Sequence, residues 1–149
     1  MAISKPAMLK VQLLSSGAKA PTIAHPGEDL GYDLYASESI TLAAKGNAIV
    51  PTGVAIECVS NGKPMGCLLR DRSSLASKRL AILAGVIDAG YRGEIKVVME
   101  NLGEQAYTVH AGDKIANMIP HPVLTEAVEV VANLAESTRK AGGFGSSGR

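Results

Sequence analysis

The hydrophobic positions of this chain recur at short intervals, mostly with period two. Leu9, Val11 and Leu13 alternate with polar or basic neighbours, and Val54, Ile56 and Cys58 repeat the pattern. Such alternation marks a half-buried strand, because successive side chains point to opposite faces. "SNGKP" follows, and its Asn61–Gly62 pair predicts a tight hairpin, since both residue types tolerate positive φ. The returning strand is expected to begin at Cys67–Leu69. Ile49 ahead of Pro51, Ile95–Met99, Tyr107 with Val109, Ile115–Ile119, and Val128 with Val130 mark further strands. No helical period persists long enough for a bundle. The exception is "SSLASKRLAIL", Ser73–Leu83. There Ser73 or Ser74 is expected to cap one or two helical turns, with Leu75 packed inward and Leu80–Leu83 extended again. The pattern predicts an all-β fold, a sandwich or a jelly-roll-like barrel with one short helix.

Composition narrows the class. The chain has 149 residues, the size of one domain. Lys plus Arg is 15 and Asp plus Glu is 14, a net charge of +1. That balance gives no general electrostatic reason to bind nucleic acid or a membrane surface. No apolar run approaches the roughly 20 residues needed to cross a bilayer as a helix. The opening "MAISKPAMLKVQLL" reads as a first strand and not as a signal peptide, so a cytoplasmic protein is expected. Cys58 and Cys67 lie in apolar contexts and read as reduced, buried thiols.

Three ingredients point to chemistry. Acids stand beside glycines: Asp33 in "LGYDLYA", Asp88 in "GVIDAGYRG" and Asp113 in "AGDKI". Serines and arginines cluster in "RDRSSLASK" and in the C-terminal "TRKAGGFGSSGR". Tyr91 is an aromatic inside a Gly-rich turn, and Phe144 is another between glycines. Glycines let backbone N–H groups approach a ligand, serine hydroxyls donate, and arginine forks onto phosphate. A multiply charged phosphate calls for a divalent cation and a nearby carboxylate. The inventory favours phosphate chemistry. It contains neither a P-loop nor a G-x-S-x-G element, and His25, His110 and His121 are not at metal-ligand spacing, so each reads as structural or surface.

Taken together, these segments resemble the homotrimeric all-β dUTP diphosphatase (dUTPase) family over nearly the whole chain. Five ordered motifs carry the resemblance: Leu30–Ala36, Asp71–Lys78, Ala84–Ile95, Gly112–Ile119 and Arg139–Gly148. The resemblance implies a jelly-roll-like distorted barrel over residues 1–137. Residues 138–149 would form a mobile Gly-rich arm that closes over an active site of the trimer. It implies hydrolysis of dUTP to dUMP and pyrophosphate with Mg²⁺, which supplies a dTMP precursor and keeps uracil out of DNA. Three sites would lie between subunits, each built from all three chains.

The resemblance also implies roles residue by residue. Asp88 activates the water that attacks the α-phosphorus, and Tyr91 packs under the deoxyribose. Asp33 holds the metal, mainly through its waters. Ser73 donates near the oxygen bridging the α and β groups, with Arg72 and Ser74 beside it. Backbone groups of a hairpin around Leu83–Gly90, at Leu83, Gly85, Val86 and Ile87, read the uracil. Lys96 and Asn117 complete the substrate-binding set in the body of the domain. On the arm, Arg139 reaches the γ-phosphate, Phe144 stacks on uracil, and Gly145, Ser146 and Ser147 close around the terminal phosphates.

Three departures stand out. "AILAGV" lacks the polar residue common before the third motif's central glycine, so backbone groups must read the base. Lys114 and Asn117 replace the usual Arg and Gln, and Lys140 stands where Gly is common. The related dCTP deaminases place an Arg at the position of Ser77 and their catalytic Glu at that of Val98, and both are absent here. A binding or regulatory protein, or a structural jelly roll, would leave the motifs unexplained.

Overall fold

The computed structural model describes residues 8–143. Its elements, in order, are β1 (Met8–Leu13), β2 (Tyr32–Tyr35), β3 (Ile40–Leu42), β4 (Asn47–Pro51), β5 (Val54–Ser60), β6 (Lys63–Arg70) and α1 (Ser73–Ala76). They continue with β7 (Leu80–Leu83), β8 (Val86–Ile87), β9 (Lys96–Asn101), β10 (Tyr107–Val109) and β11 (Lys114–Pro122). Five strands run β1-β5-β6-β11-β2 in one sheet, with β8 also paired to β6. A second sheet runs β4-β9-β7, and β10 pairs with β3. All the pairings are antiparallel. The sheets curl around a common core, giving the nearly all-β, jelly-roll-like barrel that the alternation predicts.

The core is where their inner faces meet. Leu34, Val50, Ile95, Met99, Ile115 and Met118 are buried there, drawn from four strands and the residue before β9. Each such side chain contributes roughly 1.5–3 kcal/mol on burial. Strand β9 shows the clearest inward alternation, with Val97, Met99 and Asn101 buried. Asn101 is polar, and its amide is satisfied. Nδ2 donates to Leu42 O, Ala43 O and Gln105 O, and Oδ1 accepts Gly103 N at 2.9 Å. Thr52 Oγ1 likewise donates to Ile95 O at 2.6 Å. Cys58 and Cys67 are buried free thiols, as expected. Among the described residues no helix is long and apolar enough to cross a membrane.

The hairpin turn at Asn61–Gly62 forms with φ of 51° and 77°, the doubly positive geometry its residues favour. Its returning strand starts at Lys63, four residues ahead of the expected Cys67, because pairing of Ser60 with Lys63 begins at the turn itself. Three further expectations need correction. Helix α1 is preceded by Arg72 as N-cap, with no side-chain capping bond, so neither Ser73 nor Ser74 is the cap. Strands β7 and β8 do not form a hairpin with each other: β7 pairs with β9 and β8 with β6. Val128 and Val130 are in no strand and are 93% and 95% exposed, since their alternation meets no strand edge within the described residues.

Candidate active site

Two cavities collect most of the residues singled out in the sequence. The first, about 420 Å³, is lined by Asp33, Arg72, Ser73, Lys114 and Asn117, with the loop of Ala24, His25, Asp29, Leu30 and Gly31 on its rim. Sheet pairing makes this cluster. Asn117 on β11 lies opposite both Asp33 on β2 and Arg70 on β6. The chain leaves β6 at Arg70, so Arg72 and Ser73 enter the same corner at the start of α1. Asp71 fixes that corner, its Oδ1 accepting Ile82 N at 2.7 Å.

Electrostatics in this cavity centre on Asp33. Its carboxylate pairs with the Arg72 guanidinium through Oδ1 and with Lys114 Nζ through Oδ2 at 2.8 Å. The Asp33 side chain is only 14% exposed, so both cations partner a largely desolvated acid. The hydrogen bond and charge of Asp33 hold the Lys114 ammonium above its ordinary pKa, so it stays protonated well beyond neutrality. On the rim, the backbone N–H of His25 donates to Asp29 and holds that carboxyl below its ordinary range.

The second cavity, about 200 Å³, is lined by Val86, Ile87, Asp88, Tyr91, Glu94 and Lys96. It sits where the chain passes from one sheet to the other. After β7, Ala84 and Gly85 take φ of 61° and 95°, and Leu69 N donates to Gly85 O at 2.7 Å. That bond seats the bend on β6 and turns Val86 outward, 70% exposed. Leu83 at the end of β7 is also exposed, and Ile87 is partly buried. Asp88 follows β8 on the surface, and its carbonyl accepts Tyr91 N at 3.0 Å. Its carboxylate makes no hydrogen bond or ion pair among the described residues. Tyr91 is 46% exposed, with Oη donating to Glu94 O at 2.9 Å.

The chain therefore brings Asp33, Arg72, Ser73 and Asn117 together, and separately Val86, Ile87, Asp88, Tyr91 and Lys96. Ser74 lines neither cavity; its carbonyl accepts Ser77 Oγ at 3.1 Å. Arg139 is exposed and lines neither, its Nε donating to Gly142 O at 2.9 Å. Lys140, with φ of 51°, turns the backbone just after it. Phe144, Gly145, Ser146 and Ser147 lie outside the described residues. Sequence reasoning missed the paired cations on Asp33, the anchoring role of Asp71, and the place of His25 and Asp29 on the cavity rim. The adjacency of His25 to "PGED", a turn ending in an acid, was the available signal for the last.

A magnesium ion would find no protein cage here. No group of three or more His, Cys, Asp or Glu side chains able to hold a metal occurs among the described residues. Asp33, its side chain 14% exposed, already pairs with two cations. This donor set fits an ion that arrives on phosphates and keeps most of its waters, with Asp33 bonding those waters.

The dUTPase family model matches residues 17–148. The deoxyuridine 5'-triphosphate nucleotidohydrolase of Solibacter usitatus is 47% identical, covering 95% of this chain and 96% of its own. That of Saccharomyces cerevisiae is 39% identical, covering 95% of each. A mutant dUTPase of Staphylococcus bacteriophage 80alpha, solved with dUpNHpp, superposes with a TM-score of 0.87 at 29% identity, covering 95% of this chain and 99% of the phage chain. A mutant from phage phi11 of S. aureus, described as coordinating a structural Mg(II) ion, gives a TM-score of 0.78 at 27% identity, covering 87% of this chain and 99% of its own. With fold, motif order and relatives in agreement, the chain belongs to the dUTPase family and is a dUTP nucleotidohydrolase.

Proposed function

We propose that this enzyme splits dUTP between its α and β phosphorus atoms, releasing dUMP and pyrophosphate, in active sites shared by the subunits of a homotrimer. The observation that carries the shared site is the division of the expected polar groups between two separate cavities of one chain. A single nucleotide needs both sets. One subunit's Asp88 and Tyr91 therefore face a neighbour's Asp33, Arg72, Ser73 and Asn117, and the third subunit contributes residues 138–149 to a domain otherwise formed by residues 1–137.

In this mechanism Asp88 takes a proton from the attacking water as the new P–O bond forms. Its exposed carboxylate, with no partner among the described residues, suits that task. Tyr91 supports the deoxyribose and leaves no room for a 2'-hydroxyl. Backbone groups at Leu83, Gly85, Val86 and Ile87 bind uracil. Ser73 donates to the departing pyrophosphate, and Arg72, Ser74, Lys96 and Asn117 hold the phosphate chain. Asp33 would hold a magnesium ion through its waters, and that ion would supply neutralisation of the phosphate charge. Arg139, Phe144, Gly145, Ser146 and Ser147 close the site and exclude water. The product dUMP would feed dTMP synthesis, and removal of dUTP would keep uracil out of DNA.

Pyrophosphate release with Mg²⁺, run on dUTP, dCTP, dTTP and UTP side by side, tests the reading. Release from dUTP alone, yielding dUMP, is expected. Equal cleavage of UTP would defeat the Tyr91 assignment, and ammonia from dCTP would defeat the reaction assigned.

A further inference from the structure

The rim loop of the first cavity is built rigidly around a histidine. Pro26 and Gly27 occupy its centre, Gly27 has φ of 83°, and Glu28 N donates to His25 O at 3.0 Å. That is the sequence and the bonding of a type II turn. Asp29 closes it twice over. Its backbone N–H donates to His25 O at 2.9 Å, and its Oδ2 accepts His25 N at 2.8 Å. The same carboxylate lies 3.2 Å from His25 Nδ1 through both oxygens. Nδ1 therefore carries a proton in either ionisation state, because an ionised carboxylate only accepts. Nε2 is the nitrogen left for a ligand.

Charge arithmetic around the cavity gives this nitrogen its meaning. The groups facing the space are two acids, Asp29 on the loop and Asp33 on β2, and two bases, Arg72 before α1 and Lys114 on β11. With His25 neutral they cancel, and Nε2 can only accept, which repels phosphate. With His25 protonated the lining becomes net positive, and Nε2–H becomes a charge-assisted donor. We infer that His25 is a ligand of the phosphate chain, acting in its protonated form and held in place by Asp29. The inference rests on the reading of this cavity as the phosphate site. It gives the enzyme a charge-assisted phosphate contact that exists only in the protonated form of His25.

The test is calorimetric binding of a dUTP analogue with an imido group between the α and β phosphorus atoms, at about pH 6 and about pH 8. The full-length wild type is compared with His25→Gln, His25→Arg and Ser73→Ala. The wild type should bind about 3- to 10-fold tighter than His25→Gln at the lower pH, and within about twofold of it at the higher. Titration of the nucleotide's own phosphate cancels in this ratio. His25→Arg, charged throughout, should bind tightly at both values, which a merely structural histidine would not produce. If His25→Gln matches the wild type at both values while Ser73→Ala weakens binding, His25 is not a ligand and the phosphate cavity stands. If neither substitution weakens binding, the cavity reading falls and the inference with it.

Discussion

Asp33 on β2 and Lys114 on β11 meet as an ion pair, Oδ2 to Nζ, at 2.8 Å. The register of the two strands produces it, since Asp33 lies opposite Asn117 and Lys114 lies opposite Tyr35 across an irregular step. Lys114 departs from the arginine that the sequence resemblance implies at this position. It keeps the charge beside Asp33, while the second cation on that carboxylate comes from Arg72. Under the proposed function, the two cations would turn to phosphate and the carboxylate to metal-bound water when nucleotide enters. Asp33→Asn should therefore raise the Mg²⁺ concentration for half-maximal activity by about 10- to 100-fold. A metal titration of initial rate at saturating dUTP reads this, and an unchanged midpoint would remove Asp33 from the metal's surroundings.

Asp88→Asn should lower kcat by at least about 100-fold while binding of the imido analogue stays within about threefold. The amide keeps the shape and loses the base. Undiminished turnover would end the assignment.

Gly93 lies under the ring of Tyr91. A Cβ there would stand 2.5 Å from Tyr91 Oη and 2.7 Å from Cζ. The ring is partly exposed and can swing away, so Gly93→Ala should leave the fold intact. What it should lose is sugar selection: the ratio of kcat/KM for dUTP over UTP is expected to fall about tenfold or more. Competition kinetics with the two nucleotides measures it.

Cys67 is 2% exposed, and burial together with the nearby Cys58 pushes its thiol pKa from 9.0 up to about 11. The unfolded chain thus releases this proton before the folded one does. Stability is undiminished below pH 9.0 and falls as pH rises toward about 11, by ~3 kcal/mol at most. Lys114 adds a smaller loss of the same sign further into the alkaline range, because its folded pKa is also raised. Urea unfolding across this range should show the slope, and Cys67→Ala should remove most of it.

Much of the fold is legible as local alternation, because a strand with one buried face writes its period into the sequence. Strand β8, two residues long, is too short to show a period, whereas the three residues of β3 alternate as those of β10 do and went unread. Val128 and Val130 show the converse: alternation permits a strand, but only an available edge makes one. The site divides in the same way. Asp33, Ser73, Asp88 and Tyr91 are visible as motif residues, while the two cations on Asp33 follow from strand pairing that no local pattern encodes. The Ser73 cap fails because Asp71, anchored to Ile82, sets the course of the chain into α1.

The shared site is the central claim, and mixed trimers test it most directly. Asp88→Asn and Ser73→Ala subunits, each severely impaired alone, are refolded together in equal amounts. If one chain supplies Asp88 and its neighbour Ser73, the mixture recovers about a quarter of its sites, because about three quarters of the trimers are hybrids and each hybrid ring has one of its three junctions with both wild-type halves. Recovery of about that fraction of wild-type turnover is predicted. Hybrids that form and show no activity above their parents would mean that both residues act within one chain.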